Sequence, residues 1–164
     1  MARLLYGPDV YNLDHLHPCQ IVYVQPPNGD KPERKFKVDV TYSMHCFTRG
    51  LKSGEVPESA LLYNDAREKR VFDFRRQALS RNLPRIVERL PDHKCFHTGQ
   101  GDFFTVNVLD ESGKAVDYEV FFKAYKSAQK RELPLSLRVR TLEMTSTQGQ
   151  PLKPSASTSF FTTH

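Results

Sequence analysis

The chain has no tryptophan and only three methionines and three cysteines in 164 residues. Cys19, Cys46 and Cys95 are odd in number and widely spaced, so they close no disulfide framework, and a reducing, cytoplasmic setting is expected. No window of about 18 apolar residues occurs, and the early part of the chain has no apolar run of signal-peptide type, which argues against membrane insertion and secretion. CxxC knuckles, HExxH, a nucleophile elbow and a phosphate loop are all missing. The Gly99–Asp102 stretch GQGD is too short to cradle phosphates.

What remains is the length of about one domain and a positive balance. Residues 1–145 are expected to form a single compact domain in which residues 49–70 are a surface loop. The Ser, Thr and Pro-rich residues 146–164 are expected to be a flexible tail. Net charge is +5 with pI near 9.2, which raises the prior for a polyanionic partner. Met1 to Thr48 carries five basic and five acidic residues, and Cys95 onward eight and seven. The surplus therefore lies between Arg49 and Lys94, most densely in REKRVFDFRRQALSRNLPRIVERLPDHK.

Periodicity supplies the elements. A short β-like run, QIVYVQ, and a turn, PPNGDKPERK, precede KFKVDVTYSMHCF, which alternates strictly. This places Phe36, Val38, Val40, Tyr42, Met44 and Cys46 on one strand face, and Lys37, Asp39, Thr41, Ser43, His45 and Phe47 on the other. Leu79, Leu83, Ile86, Val87 and Leu90 then recur at helical spacing, opposite Arg81, Arg85 and Arg89, and Pro84 implies either a bend or a second helix beginning there. Past Gly101 the period returns to two in DFFTVNVLD, VDYEVFFKAYKS and LPLSLRVRTLEM, joined by the hairpin turn ESGKA and by AQKREL. The expected class is α+β: an antiparallel sheet of N-terminal strands plus a C-terminal three-stranded meander, packed on one bent helix or two short ones.

One meander face, through Val106, Val120, Phe122 and Val139, suits the helix. The other carries Phe103, Phe121 and Tyr125 interleaved with Lys123, Arg138 and Arg140. Aromatic rings among cations on an open sheet can stack bases and neutralise phosphates, with Lys126 and the Arg81, Arg85, Arg89 row adding charge. The competing reading covers this face with the N-terminal strands and leaves the arginine row as an ordinary solvated helix face. His45 is a candidate acid or base, and because Asp39 is about 20 Å away along a strand, its orienting carboxylate must come from another element. Each cysteine has histidine within two residues, so a zinc site of His17, Cys19, Cys95 and His97 is a further candidate, against buried thiols that merely pack.

A helix followed by a three-stranded meander with basic and aromatic strands, over Phe72 to Met144, resembles the core of the RelE, barnase, EndoU and colicin-type ribonucleases. The resemblance implies a metal-independent endoribonuclease with His45 or His97 as base or acid, Lys123, Arg138 or Arg140 as cationic stabilisers, and Tyr125 stacking or relaying a proton. The stretches CFHTGQGDFFTV and DYEVFFKAYKS also look like a family of proteobacterial and mobile-element proteins, which implies a bacterial or phage origin. The functional expectation is thus an RNA or nucleic-acid-interacting domain, toxin-like ribonuclease or binding module, with no cofactor unless zinc. Its rivals are a phage- or plasmid-encoded inhibitor that binds a host protein, and a small zinc-stabilised protein.

Overall fold

Alternation of apolar and polar residues builds most of the molecule. The structure, a computed structural model, describes residues 3–93, 95–98, 101–109, 112–126, 135–143 and 157–158, with side chains over 3–93, 106–109, 112–123 and at 139. A first hairpin joins β1 (Arg3–Tyr6) to β2 (Asp9–Asn12) through a tight turn that holds Gly7 at φ 61°, a value that favours glycine. Next come β3 (Cys19–Gln25), β4 (Arg34–Tyr42), a 3-10 turn (Met44–Cys46) and the short strands β5 (Thr48–Gly50), β6 (Leu62–Asn64) and β7 (Lys69–Phe72). Helices α1 (Phe74–Ser80) and α2 (Leu83–Glu88) precede β8 (Cys95–Thr98), β9 (Gly101–Leu109), β10 (Ala115–Lys126), β11 (Leu135–Glu143) and β12 (Ser157–Thr158).

The fold is α+β. Seven strands form one sheet in the order β12-β8-β9-β10-β11-β4-β3, antiparallel except where β11 runs parallel to β4. A second sheet has the order β5-β7-β6. The expected meander is β9-β10-β11, and the turn into β10 holds Gly113 at φ 78°. Of the two helical alternatives, two short helices form: Asp73 caps α1 by accepting the Arg76 N–H at 3.0 Å, and Pro84 lies in the first turn of α2.

The core lies between the helices and one face of the large sheet. Val38, Val40, Tyr118, Val120, Phe122 and Val139 meet Leu79, Leu83, Ile86, Val87 and Leu90, all buried, and each of the aliphatic side chains and Phe122 is worth about 1.5–3 kcal/mol of transfer free energy. Tyr23 on β3 fixes the layers by donating its hydroxyl to the Val87 carbonyl at 2.5 Å.

Four expectations need correction. The strand through His45 ends at Tyr42, because Cys46 and Phe47 both need cover, and a strand sends neighbours to opposite faces. The 3-10 turn buries Cys46 fully and lets Phe47 pack edge-on against Tyr63, centroids 5.2 Å apart. Residues 49–70 are not all loop, since β5, β6 and the start of β7 lie in them. Ser157–Thr158 of the expected tail form a strand that pairs with β8; the tail's other residues lie outside the described ones. Finally, β3 and β4 extend the sheet sideways and do not fold over it. Among the described residues, no helix is long and apolar enough to cross a membrane.

Candidate functional site

The face of the large sheet opposite the helices is open along β3, β4 and β10. On β4, buried Val38 and Val40 alternate with exposed Lys35, Lys37, Asp39 and Thr41 around them. On β10, buried Val116, Tyr118, Val120 and Phe122 alternate with exposed Asp117, half-buried Glu119 and Phe121, and exposed Lys123. Because both strands bury their other face in one core, Lys37, Thr41, Phe121 and Lys123 share the outer face. Val22 and Val24 on β3 are 50% and 48% exposed beside Lys37 and Lys35.

Strand register gathers much of the expected set. Phe103, Phe121 and Arg140 are partners in one cross-strand row, and Lys123, Arg138 and Thr41 in the next. Tyr125 pairs with Ser136 and Lys126 with Leu135. The side chains of Phe103, Tyr125, Lys126, Arg138 and Arg140 lie outside the described residues. The face is also not uniformly basic. Asp39 accepts a hydrogen bond from Gln20 at 2.9 Å, Asn107 donates to Asp117, and Glu119 titrates above the usual carboxylate range through burial and then the neighbouring Asp117 charge. On β10 the acidic groups Asp117 and Glu119 sit toward the β9-β10 turn and the cation Lys123 toward the other end, whereas Asp39 lies on β4 between Lys37 and Thr41, at the Lys123 end.

Other expected residues fall elsewhere. Arg81, Arg85 and Arg89 are exposed on the helical layer, across the core from the open face, so they do not form one surface with Phe121 and Lys123. Arg89 pairs with Asp92 at 3.1 Å. Arg81 instead lines a cavity of about 740 Å³ between α1 and the β9-β10 turn, with Arg75 and Lys114. His97 is on β8, three strands from β4, and its side chain is not described. The zinc set fails on topology: His17 and Cys19 are at the β3 edge and Cys95 and His97 on β8, with four strands between. Among the described residues, no group of three metal-ligating side chains is arranged to hold an ion. His15 is structural. Ser80 Oγ gives its proton to the Gln77 carbonyl at 2.7 Å, so it accepts from His15 Nε2 at 2.7 Å, and burial, then Arg81, lowers the His15 pKa.

His45, displaced from the strand face, gains the carboxylate it required. Its Nε2 lies 2.5 Å from Glu68 Oε1, and Arg70 Nη1 donates to Glu68 Oε2 at 3.0 Å. Arg70, 8% exposed, is held in turn by Thr48 through Oγ1 at 2.8 Å and the carbonyl at 3.1 Å. These hydrogen bonds, His45 first and Arg70 after, hold Glu68 below the usual carboxylate range. His45 and Glu68 face a cavity of about 280 Å³ that Ser43, Asp65 and Arg67 also line. Ser43, Arg67, Glu68 and Arg70 are not among the candidate site residues that the sequence suggests. A signal was present in the Asp65 turn, where Oδ1 accepts the N–H of Arg67 at 2.7 Å and of Glu68 at 2.9 Å, the bonding that Asp favours in turns.

The chain is similar to Protein YjaZ of Escherichia coli (strain K12), 33% identical over 127 residues that cover 76% of this chain and 70% of that protein. No solved structure matches it. Its sequence matches the YjaZ family over residues 3–163, nearly its whole length, and the chain belongs to that family.

Proposed function

We propose that the chain binds single-stranded nucleic acid, RNA foremost, on the open face of its large sheet. The observation that carries this reading is half-buried Phe121 beside exposed Lys123 on the face opposite the helices, continued by exposed Thr41, Lys37 and Lys35 on β4. A ring whose one side packs on the sheet offers its π-face to a base, while lysines spaced along neighbouring strands track a phosphate backbone. The net charge of +5 supplies non-specific attraction in addition. Three cysteines, odd in number and widely spaced, accord with a reducing, cytoplasmic setting.

Binding takes precedence over cleavage in this reading, because His45 and Lys123 share none of the described cavities. The decisive measurement is fluorescence anisotropy with labelled single-stranded RNA across a salt series, EDTA present. The logarithm of affinity should fall with the logarithm of salt, with a slope of about −0.7 per phosphate neutralised. Phe121→Ala should weaken binding about 5- to 150-fold, the range for one stacked base, and Lys123→Ala should flatten the salt slope. Cleavage that persists in EDTA and vanishes in His45→Ala would make it a ribonuclease. No binding at low salt would sink the proposal in favour of a host-protein partner.

A further inference from the structure

The cleft at His45 does not include the sheet-face residues Phe121 and Lys123. Ser43 is 5% exposed, and among the described residues its buried Oγ makes no hydrogen bond. Among the described residues, the Arg67 guanidinium makes no hydrogen bond or ion pair either; only its backbone N–H is engaged, by Asp65. A buried hydroxyl without a partner is disfavoured, and Arg67 brings an exposed guanidinium to the cavity rim on a turn whose backbone Asp65 pins. Both carboxylates of the cleft are already committed: Asp65 to the N–H groups of its own turn, Glu68 to His45 and Arg70.

We propose that this cleft binds a phosphate-class anion, gripped by the Arg67 guanidinium with the His45 ring at its wall, the Ser43 hydroxyl turning out of its buried position to donate to it. Charge and size both fit. With His45 protonated, His45 and Arg67 balance Asp65 and Glu68 on the cleft wall, and two cations behind it tip the surroundings positive: Arg70, bonded to Glu68, and Arg76, bonded to the His45 carbonyl at 3.3 Å. A planar guanidinium suits two oxygens of one tetrahedral anion. A space of about 280 Å³ lies below the usual range for whole drug-sized ligands, and suits one phosphoryl group with its waters. The anion is either free phosphate or the phosphomonoester at the end of a nucleotide. The site stands whether or not the sheet binds RNA.

The test is isothermal titration calorimetry of the full chain at mildly acidic pH with three probes: inorganic phosphate, a 5′-phosphorylated dinucleotide and its dephosphorylated twin. Wild type should bind phosphate saturably, and Arg67→Ala and Ser43→Ala should each weaken it by about tenfold or more. Ser43→Ala should leave the melting temperature unchanged or raise it, since it deletes a buried hydroxyl that has no partner, so the loss of binding is not a loss of fold. Arg67→Lys should restore part of the affinity. A phosphorylated dinucleotide that binds more tightly than both other probes identifies a nucleotide end, and phosphate that binds at least as tightly identifies the free anion. Absence of saturable binding by phosphate and by the phosphorylated dinucleotide, or equal affinity in wild type and both alanine variants, overturns the proposal.

Discussion

Two halves of the molecule are held together by different physics. The layer between the large sheet and the helices is mostly apolar, with Val38, Val40, Leu83, Val87, Tyr118 and Val139 almost fully buried. The small sheet is stitched by cations. Arg70 from β7 clamps Thr48, and Arg76 reaches from α1 to the carbonyls of His45 at 3.3 Å and Thr48 at 3.1 Å. Arg49 grips Glu55 with two bonds. Burial stabilises the first half whatever the ionisation state; the second depends on which groups carry charge. Mutation and pH therefore separate them.

The largest expected effect is in the apolar half. Leu83 is fully buried at the junction of the helices, and Leu83→Ala should cost about 2–5 kcal/mol by lost transfer energy and a residual cavity. Urea unfolding at neutral pH and again at pH about 4.5, the ordinary carboxylate range, should return the same loss. A loss that varies with pH would break the distinction. Next comes the polar hub. Arg70→Met keeps the apolar stem but removes the bonds to Thr48 and to Glu68 Oε2, while Arg76 stays on the Thr48 carbonyl and His45 on Glu68 Oε1, and should cost about 1.5–3 kcal/mol, the scale of hydrogen bonds to charged groups. Glu68 is 37% exposed and regains water, so the lower end is expected. A neutral result would mean that burying Arg70 costs as much as its bonds return.

The same division decided what could be read from the sequence. The helical stripe and the three meander strands were legible because one face of each is buried, and burial writes a period of 3.6 or two into the residues. The hub left no period. Its residues come from separate short elements, so the pairing of His45 with Glu68, 23 positions later, has no local signature. His45 was misplaced for a related reason: alternation continues by chance from Tyr42 to Phe47, while the chain has already turned to bury Cys46. That its carboxylate must come from elsewhere followed from strand geometry alone, because distance along a strand is fixed. Whether the second sheet face is covered was not readable, since it depends on β3 and β4 joining edge to edge, a long-range parallel pairing of β11 with β4.

The smallest effect isolates one ion pair of the polar half. Arg49 and the Lys52 N–H hydrogen-bond the Glu55 carboxylate and hold its pKa at about 2, against 4.5 when unperturbed. A carboxyl depressed on folding adds stability above its unfolded pKa and loses that stability as pH falls toward its folded one, because the unfolded chain takes up the proton first. Wild type should therefore exceed Glu55→Gln in stability at neutral pH, and the gap should shrink as pH falls from about 4.5 to about 2. Glu55 lies near the surface, so screening by salt should also narrow the gap. Urea midpoints for both proteins at pH about 6 and about 3 measure it. A gap that stays constant would mean that Glu55 acts through packing of its stem, and that this corner of the small sheet belongs with the apolar half.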